Sequence, residues 1–400
     1  MTAILLGYEL GTGYGHAAQL LPLALELRRR GHDVNFVVND LARAEVLLGP
    51  HGFQAYQSPL WLVKVGGLPP ASNYTDIMMH AGFLDPVGLL AIAKAWRNLV
   101  ELLKPSLLVL DHSPAALFAT AGLGLPRARL GTGFTCPPLA TPMPQFAWWI
   151  AHRVPHLERS EREVLAVVNR VRGELKQPPV TRVADLLCAE QDFVCAFAET
   201  DHYPARTQSK HWGPIFDTGD GAHADWPAGE APRVFAYVRS EYPFVKDLAR
   251  GLDRAGCSAI LHVPGYASAA AAELTSPRVV FSAAAVRMED MCRECALAIC
   301  HGGSSTVSAM LLAGKPLLLL PSNSEQYMMA RRLETLGAAA TVPYGKVAPD
   351  FSGLIRRMVG DARAAAAARA FAGAHADYSV RDTVAGIAER CEAMLGGTPS

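Results

Sequence analysis

Residues 297–316 read LAICHGGSSTVSAMLLAGKP, and this stretch indicates the fold class. The apolar run at its start has the length of a buried strand, the glycines after it form a turn, and a largely apolar helix follows. The first backbone N–H groups of such a helix lack partners, and its dipole puts positive charge at that end. These N–H groups, together with the imidazole and hydroxyl side chains of the turn, predict a site for a diphosphate. Its residues are His301, Gly302, Gly303, Ser304, Ser305 and Thr306.

The next apolar run, Pro316 to Leu320, predicts a second strand, and Glu325 and Gln326 follow its end. Open α/β sheets bind ligands at the carboxyl ends of their strands. A carboxylate accepts hydrogen bonds and a carboxamide both donates and accepts them, so this pair suits sugar hydroxyls. The GxxxxGK[ST] pattern of phosphate-binding loops does not occur in the sequence.

The amino-terminal half predicts the same succession of strands and helices. Thr2 to Leu6 is a short apolar strand, Gly11 to His16 is a glycine-rich turn, and Asp33 to Val38 is the next strand after a helix with apolar residues at helical spacing. A later strand, Leu107 to Leu110, ends at Asp111. This alternation is typical of parallel α/β sheets.

Two segments of this half, residues 58–85 and 137–155, lack clear periodicity and carry many Gly, Pro and aromatic residues, so we expect long loops at a binding surface. Residues 214–232 are rich in Gly, Pro and Asp and predict a linker. We therefore expect two similar doubly wound α/β domains, residues 1–213 and 233–400, the second with closing helices at its carboxyl end.

Length and composition agree with this division. A chain of 400 residues exceeds the about 250–300 at which a single core stops growing. With 50% hydrophobic residues, and 37 Lys and Arg against 37 Asp and Glu, the chain is not disordered, and nucleic acid or an anionic membrane is a disfavoured partner. The first residues lack a signal-peptide pattern and no apolar run has the length of a membrane span, so we expect a cytoplasmic protein without integral membrane association.

Eight cysteines without framework spacing predict buried thiols. Cys292 and Cys295 form the one CxxC pair, and it lacks the second pair or histidine partner of a zinc site.

Several short motifs of the carboxyl-terminal half occur in a recognisable order: His301-Gly302-Gly303-x-x-Thr306, Ala313-Gly314-Lys315-Pro316, Pro321, Glu325-Gln326, and Ala330-x-Arg332-x-x-x-x-Gly337. They resemble the donor-binding signature of GT-B glycosyltransferases of family 1. Gly13-Tyr14-Gly15-His16 and the residues up to Val34 are similar to the family's amino-terminal motif, and Trp212-Gly213-Pro214 stands where many members enter the linker. The resemblance implies the GT-B fold, which has two tandem Rossmann-like domains with an interdomain cleft.

The resemblance also implies a catalytic pair in the amino-terminal domain. His16 matches the general base that takes the proton of the acceptor hydroxyl, and Asp111 matches the carboxylate that orients this histidine. The chemistry is reasonable, because a hydroxyl is a weak nucleophile and His is the side chain whose unperturbed pKa is nearest neutrality. From the residues alone, His16 can equally be a helix residue without a catalytic role, and Asp111 can be a helix N-cap. We expect His112 to be a turn or packing residue rather than a ligand, and its position next to Asp111 leaves a role in the site open.

For the carboxyl-terminal domain, the resemblance implies a nucleotide diphosphate sugar with its phosphates at His301 and the following helix, and its sugar at Glu325 and Gln326. Where many relatives have Gly-Ser after the first strand of this domain, this chain has Arg239, which can supply a phosphate contact or equally be a solvated surface charge. The nucleoside-binding candidates are Ala285 and Val286, without the aromatic residue that relatives often stack on the base. We expect a UDP-sugar, with a dTDP-sugar as the second choice, and neither a cofactor nor a metal.

Aromatic residues of the amino-terminal domain are the acceptor-binding candidates, with packing as the alternative. They are Tyr14, Trp61, Phe83, Trp148 and Trp149. They predict a small apolar or aromatic acceptor, so the expected activity is inverting, metal-independent transfer of a hexose to its hydroxyl. The alternatives are a nucleotide-sugar-binding protein without turnover and a nucleotide-sugar epimerase. A dinucleotide-dependent oxidoreductase is disfavoured, because Gly11-x-Gly13-x-Gly15 lacks the spacing of its third glycine.

Overall fold

The computed structural model describes residues 2–11, 13–63, 65–151, 154–207, 209–217, 221–223 and 225–396. The chain divides into two compact units. The first contains Met1–Ile215 together with Ser379–Ser400, and the second contains Phe216–Tyr378. The expected boundary at residues 213 and 214 therefore lies within a few residues of the observed one.

The first unit contains one parallel six-stranded sheet. Its strands are β1 (Ala3–Tyr8), β2 (Asp33–Val38), β3 (Gln54–Gln57), β4 (Leu107–Asp111), β5 (Arg127–Gly131) and β6 (Gln191–Val194). The strand order is β3-β2-β1-β4-β5-β6. Because the order reverses between β1 and β4, the carboxyl ends of these two strands lie side by side, and Tyr8 pairs with Asp111.

Helices cover both faces of this sheet. They are α1 (Gly15–Arg29), α2 (Leu41–Leu48), α3 (Tyr74–Met78), α4 (Pro86–Leu103), α5 (Pro114–Thr120) and α6 (Val154–Glu174). Short 3-10 segments occur at Gly49–His51, Val183–Leu187 and Ala198–Thr200, and a π-helical turn at Met79–Phe83. The strand residues alternate between two buried clusters, one under α1 and one under α4 and α6, which explains why the strands are apolar on both faces.

The second unit repeats this architecture. Its strands are β7 (Arg233–Tyr237), β8 (Ser258–His262), β9 (Val279–Ser282), β10 (Leu297–Cys300), β11 (Leu317–Leu319) and β12 (Ala339–Thr341), in the parallel order β12-β11-β10-β7-β8-β9. Its helices are α7 (Val245–Ala255), α8 (Ser268–Leu274), α9 (Met288–Glu294), α10 (Ser304–Leu312), α11 (Ser324–Leu336), α12 (Phe351–Val359) and α13 (Ala362–Ala374). The carboxyl ends of β7, β10 and β11 are adjacent. The prediction of two doubly wound Rossmann-like units is confirmed.

The last helix, α14 (Val380–Gly396), corrects the predicted extent of the second domain. It belongs to the first unit, where Val384, Ile387 and Cys391 join the apolar cluster under α1. The chain therefore returns to the unit in which it began. The position of α14 in the chain, directly after α13, suggested that it belongs to the second unit. The apolar stripe of a helix shows that one face is buried, but it does not identify the surface that the helix will cover.

The segment 58–85, expected as a loop, contains α3 and the π-helical turn. Asn73 caps α3 by accepting from the backbone N–H of Asp76, and Asp85 caps α4. The predicted loop at 137–155 is free of helix and strand over its described part up to Ile150. Within the described residues no single helix is long and apolar enough to cross a membrane, although Tyr74–Phe83 and Pro86–Leu103 together pass that test across a bend of 88°.

Candidate functional site

The structure brings together His16 and Asp111, which are 95 positions apart in the chain. The Nδ1 atom of His16 lies 2.6 Å from Oδ2 of Asp111. Asp111 is the last residue of β4 and fully buried, and His16 is the second residue of α1, which follows the neighbouring strand β1. A carboxylate only accepts hydrogen bonds, so Nδ1 carries the proton, and Nε2 is the ring nitrogen that can take one up.

The glycine-rich turn before α1 holds the His16 ring closely. Gly11 has φ +95°, and a Cβ atom there would collide with Nε2 of this ring. Tyr8 stacks on the ring at a centroid distance of 5.4 Å. Burial and the nearby carboxylates of Asp40 and Asp111 raise the pKa of Tyr8 to about 12, so its hydroxyl stays neutral.

His112, expected as a packing residue, stacks on His16 at a centroid distance of 5.8 Å and an interplanar angle of 26°. Its backbone has φ +45°, which is unusual for a residue with a side chain. Its Nδ1 atom lies 2.9 Å from the hydroxyl of Tyr74. In the sequence, the signal for a place in the site was the position of His112 directly after the predicted strand, because side chains at the carboxyl edge of a parallel sheet converge.

A second element that sequence reasoning missed is the turn after β5. It carries Phe134, whose ring meets His112 edge-on at 6.2 Å and Phe146 at 4.9 Å. Arg206 holds this turn by donating to the carbonyl oxygens of Gly133 at 3.1 Å and Cys136 at 2.8 Å. Fixed aromatic side chains therefore lie on the β5 side of His112.

The predicted acceptor residues have different environments. Tyr14 precedes α1 and is 48% exposed, whereas Phe83 is fully buried against Phe118, which corrects its assignment to a binding surface. Trp61 is half-buried, with its ring against Gly82 and Gly88. Two further aromatics, Trp148 and Trp149, are half-buried and form an edge-on pair at 5.3 Å. The indole N–H of Trp148 donates to the carbonyl oxygen of His202 at 3.1 Å.

A cavity of about 390 Å³ lies at the carboxyl ends of β1, β2 and β3. Half of its lining residues are polar, namely Asn39, Asp40, Arg43 and Gln57, and the lining includes Gly11, which lies against the His16 ring. Asn39 donates to the carbonyl oxygen of Gly11 at 2.6 Å. The surroundings of His16 are therefore polar on this side and aromatic on the β5 side.

In the second unit, α10 begins directly after the predicted phosphate turn. Gly303 is its N-cap and no side chain caps the helix. Apart from its chain neighbours, Gly303 has no atom within 4 Å of the position that a Cβ would occupy, so the space beside this N-cap is open. Ser305 is exposed there and Thr306 is buried. Open N–H groups at the positive end of a helix suit an anion.

His301 is tied to two neighbouring strand ends. Its Nδ1–H donates to the carbonyl oxygen of Leu320 at 2.7 Å, and its Nε2 accepts from the backbone N–H of Arg239 at 2.9 Å. Burial lowers the pKa of His301, and the nearby guanidinium of Arg239 adds to this shift. The ring thus holds together the ends of β7, β10 and β11, and the exposed residue Arg239 lies beside it.

Glu325 and Gln326 lie in the first turn of α11, next to the phosphate turn. The Gln326 side-chain oxygen accepts from both the backbone N–H of Ser322 at 2.9 Å and its hydroxyl at 3.0 Å. Its amide nitrogen is therefore the part that can serve a ligand, as a donor. Glu325 is half-buried. A Cβ atom on Gly302 would lie 3.4 Å from the carbonyl oxygen of Gln326, so the two predicted motifs lie next to each other.

The candidate nucleoside residues lie beside a short stretch of the predicted linker. The carbonyl oxygen of Ala285 accepts from the N–H of Ala222 at 2.7 Å, and the N–H of Arg287 donates to the carbonyl oxygen of Ala222 at 2.9 Å. This pairing uses the groups on either side of Val286, whose side chain is buried. Across the described parts of the chain, no three His, Cys, Asp or Glu side chains cluster as a metal site would require.

One protein family is similar to the second unit. Residues 245–378 match the family model described as the glycosyltransferase family 28 C-terminal domain. No curated protein sequence matches the chain.

Solved structures share the fold of the whole chain. The calicheamicin glycosyltransferase CalG4 aligns with a TM-score of 0.74 at 19% identity, over 100% of this chain and 99% of that chain. Glycosyltransferase VinC, in complex with dTDP, aligns with a TM-score of 0.69 at 17% identity, over 97% and 100%. The spinosyn rhamnosyltransferase SpnG, complexed with thymidine diphosphate, aligns with a TM-score of 0.65 at 19% identity, over 97% and 100%.

The chain therefore has the GT-B fold of these glycosyltransferases, and its second unit is similar to the carboxyl-terminal domain of family 28. The resemblance seen in the motifs is confirmed at the level of GT-B glycosyltransferases. The comparisons agree equally with family 1 and family 28.

Proposed function

We propose that this protein is a glycosyltransferase that moves a hexose from a nucleotide diphosphate sugar to a hydroxyl of a small acceptor, with inversion at the anomeric carbon and without a metal. The observation that carries the proposal is the 2.6 Å contact between His16 and buried Asp111 at the switch point of the first sheet. This is the geometry of a base held by an orienting carboxylate.

The chemistry assigned to this pair is general-base catalysis. As the acceptor oxygen attacks the anomeric carbon, Nε2 of His16 takes the hydroxyl proton, and Asp111 stabilises the imidazolium that forms. The bond to the leaving diphosphate breaks on the opposite face of the sugar, which gives inversion. The exposed N–H groups of α10 stabilise the charge that develops on the diphosphate.

The donor proposal rests on the second unit. The open space before α10, with Arg239 beside it, suits a diphosphate, and the amide nitrogen of Gln326 with Glu325 suits sugar hydroxyls. Val286 and Ala285 stay the nucleoside candidates. Two of the solved neighbours hold thymidine diphosphate, so dTDP is tested beside the UDP expected from the sequence.

Two variants test the catalytic pair. In His16→Ala the base is absent, and in Asp111→Asn the amide can donate to Nδ1 and so select the wrong tautomer of His16. We expect the transfer rate to fall by about 10²–10⁴-fold in both variants. Calorimetric titration with UDP and dTDP should give unchanged affinities, because the proposed donor site is in the other unit. Full transfer by either variant would refute the assignment.

A transfer assay tests for the acceptor. It combines UDP- or dTDP-hexoses with each member of a panel of hydroxylated aromatic and apolar compounds and measures the glycosylated product and donor hydrolysis, with and without EDTA. Nucleotide binding without transfer or donor hydrolysis would indicate a binding protein without turnover. No nucleotide binding at millimolar concentration would refute the donor site. A loss of transfer in EDTA would contradict the metal-independent mechanism.

A further inference from the structure

His112 is placed beside the proposed base by an unusual backbone conformation. Three residues other than glycine have positive φ in the described part of the chain, and the other two, Lys104 and Lys176, are exposed. His112 is the buried one, with 9% of its surface exposed. Such a conformation costs about 1–3 kcal/mol and clusters at functional sites. Here it accompanies a ring that stacks on His16.

Tyr74 determines which nitrogen of His112 carries the proton. The Tyr74 hydroxyl is buried in the core, and its one hydrogen-bond partner among the described residues is Nδ1 of His112. A buried hydroxyl without another acceptor donates its hydrogen to that partner. Burial raises the pKa of Tyr74 well above its usual value, so the phenol keeps its proton. Nδ1 of His112 is therefore the acceptor, and Nε2 carries the hydrogen.

The ring of His112 is also held neutral. Burial lowers its pKa to about 3, the positive charge that His16 can carry adds to this effect, and Asp111 opposes it. Nε2 makes no hydrogen bond within the described residues, and it is not one of the buried polar atoms that lack a partner. A neutral N–H donor therefore remains at the surface of the site, next to Phe134.

We propose that the Nε2–H group of His112 is a specificity-determining donor that binds a second oxygen of the acceptor, adjacent to the hydroxyl whose proton His16 takes. This inference rests on the proposed function. A donor to the reacting oxygen itself would compete for the lone pair that attacks the sugar, so the neighbouring oxygen is the suitable partner. The ring separation of 5.8 Å leaves room for two adjacent oxygens, one at each histidine.

The substrate class that follows is an aromatic or cyclic alcohol with an ether, carbonyl or hydroxyl oxygen on the adjacent carbon. Tyr74 is a positioning residue for this donor, because it acts only through the tautomer of His112. The aromatic surroundings strengthen the expected hydrogen bond, since water competes poorly for a donor beside apolar rings.

The first test measures the tautomer by ¹⁵N NMR of the histidine side chains in the full-length protein. His112 should show Nε2–H and should not titrate between pH 5 and 9. Tyr74→Phe should populate both tautomers, whereas Tyr203→Phe, which removes another buried hydroxyl that has no partner among the described residues, should leave the spectrum of His112 unchanged. A wild-type His112 with Nδ1–H would overturn the inference.

The second test compares two isomeric acceptors, 2-methoxyphenol and 4-methoxyphenol, of which only the first has an oxygen adjacent to the hydroxyl. We expect the wild type to prefer 2-methoxyphenol by about tenfold in kcat/KM, which corresponds to about 1.4 kcal/mol. His112→Phe, which keeps a ring, should abolish the preference by raising KM for 2-methoxyphenol, and Tyr74→Phe should reduce it. Nucleotide affinity should not change.

The outcomes separate the two proposals. Equal kcat/KM values for the two phenols in the wild type, or an unchanged preference in His112→Phe, would overturn the role of His112 while transfer itself stands. Failure of the wild type to glycosylate either phenol or any acceptor of the panel would overturn the proposed function and the acceptor role of His112. In that case the tautomer of His112 measured by NMR would remain valid as a structural result, without a role in acceptor binding.

Discussion

At the scale of single residues, the site depends on which atom of each imidazole is engaged. Asp111 engages Nδ1 of His16, Tyr74 engages Nδ1 of His112, and His301 uses both nitrogens within the protein. These three histidines thus have different chemistry. The first can accept a proton, the second can donate a hydrogen bond, and the third joins strand ends.

A pair of glycine variants tests how closely the turn holds His16. Gly11 and Gly13 have φ of +95° and +87°, so an alanine at either position costs about 1 kcal/mol of unfolding free energy. Only at Gly11 would the new Cβ meet the His16 ring, since Gly13 has open space. We expect Gly11→Ala to lower the transfer rate at least tenfold more than Gly13→Ala, with similar thermal stability. Equal rates would show that the turn does not position His16.

At the scale of elements, α10 starts without a side-chain cap, as α7, α8 and α9 do, whereas the three helices that follow it are capped. Side chains cap α11, α12 and α13, through Asn323, Asp350 and Asp361. Helix α10 has none, and its N-cap is a glycine facing open space. The N–H groups of this helix are therefore available to a ligand, which is the basis of the donor proposal.

The variant Gly303→Ala tests this element. Gly303 has φ −68° and no neighbour within 4 Å of a new Cβ, so the fold tolerates alanine. The methyl group would occupy the space assigned to the diphosphate, and we expect the affinity for UDP or dTDP to fall about tenfold, measured by calorimetry. Gly373→Ala in α13, also without neighbours, is the control and should leave the affinity unchanged. An unchanged affinity in Gly303→Ala would place the diphosphate elsewhere.

At the scale of the whole molecule, the chain crosses to the second unit once and returns. Helix α14 completes the first unit through its apolar stripe, an ion pair of Glu392 with Arg30 at 2.9 Å, and a hydrogen bond between Glu392 and His32 at 3.1 Å. The hydroxyl of Thr383 also donates to the carbonyl oxygen of Trp212 at 3.1 Å. The stability of the first unit therefore depends on α14.

Hydrogen exchange on Ile387→Ala tests this dependence. Ile387 is fully buried in the first unit, so its truncation should cost that unit about 2–5 kcal/mol. Exchange should become faster in β1, β2 and α1 and stay unchanged in β10. Ile355→Ala, which truncates an equally buried residue of α12, should show the reverse pattern. Faster exchange in β10 of Ile387→Ala would contradict the assignment of α14 to the first unit.

The sequence by itself determined the local features. The alternation of apolar strands and helices is set by side-chain periodicity, so the two doubly wound units and the turns at His16 and His301 were predictable. The order of short motifs led to the GT-B class, which the comparisons confirmed. The pairing of His16 with Asp111 was expected from the resemblance, and the parallel order of β1 and β4 brings it about.

Only the tertiary structure decided which surfaces meet. Phe83 became a core residue because α3 and the π-helical turn fold over α5, and α14 joined the first unit because its stripe covers α1. The partners of His112 come from α1, α3 and the turn after β5, which are distant from it in the chain. Apolar periodicity specifies that a face is buried but not against what, so these contacts could not be read before the fold was known.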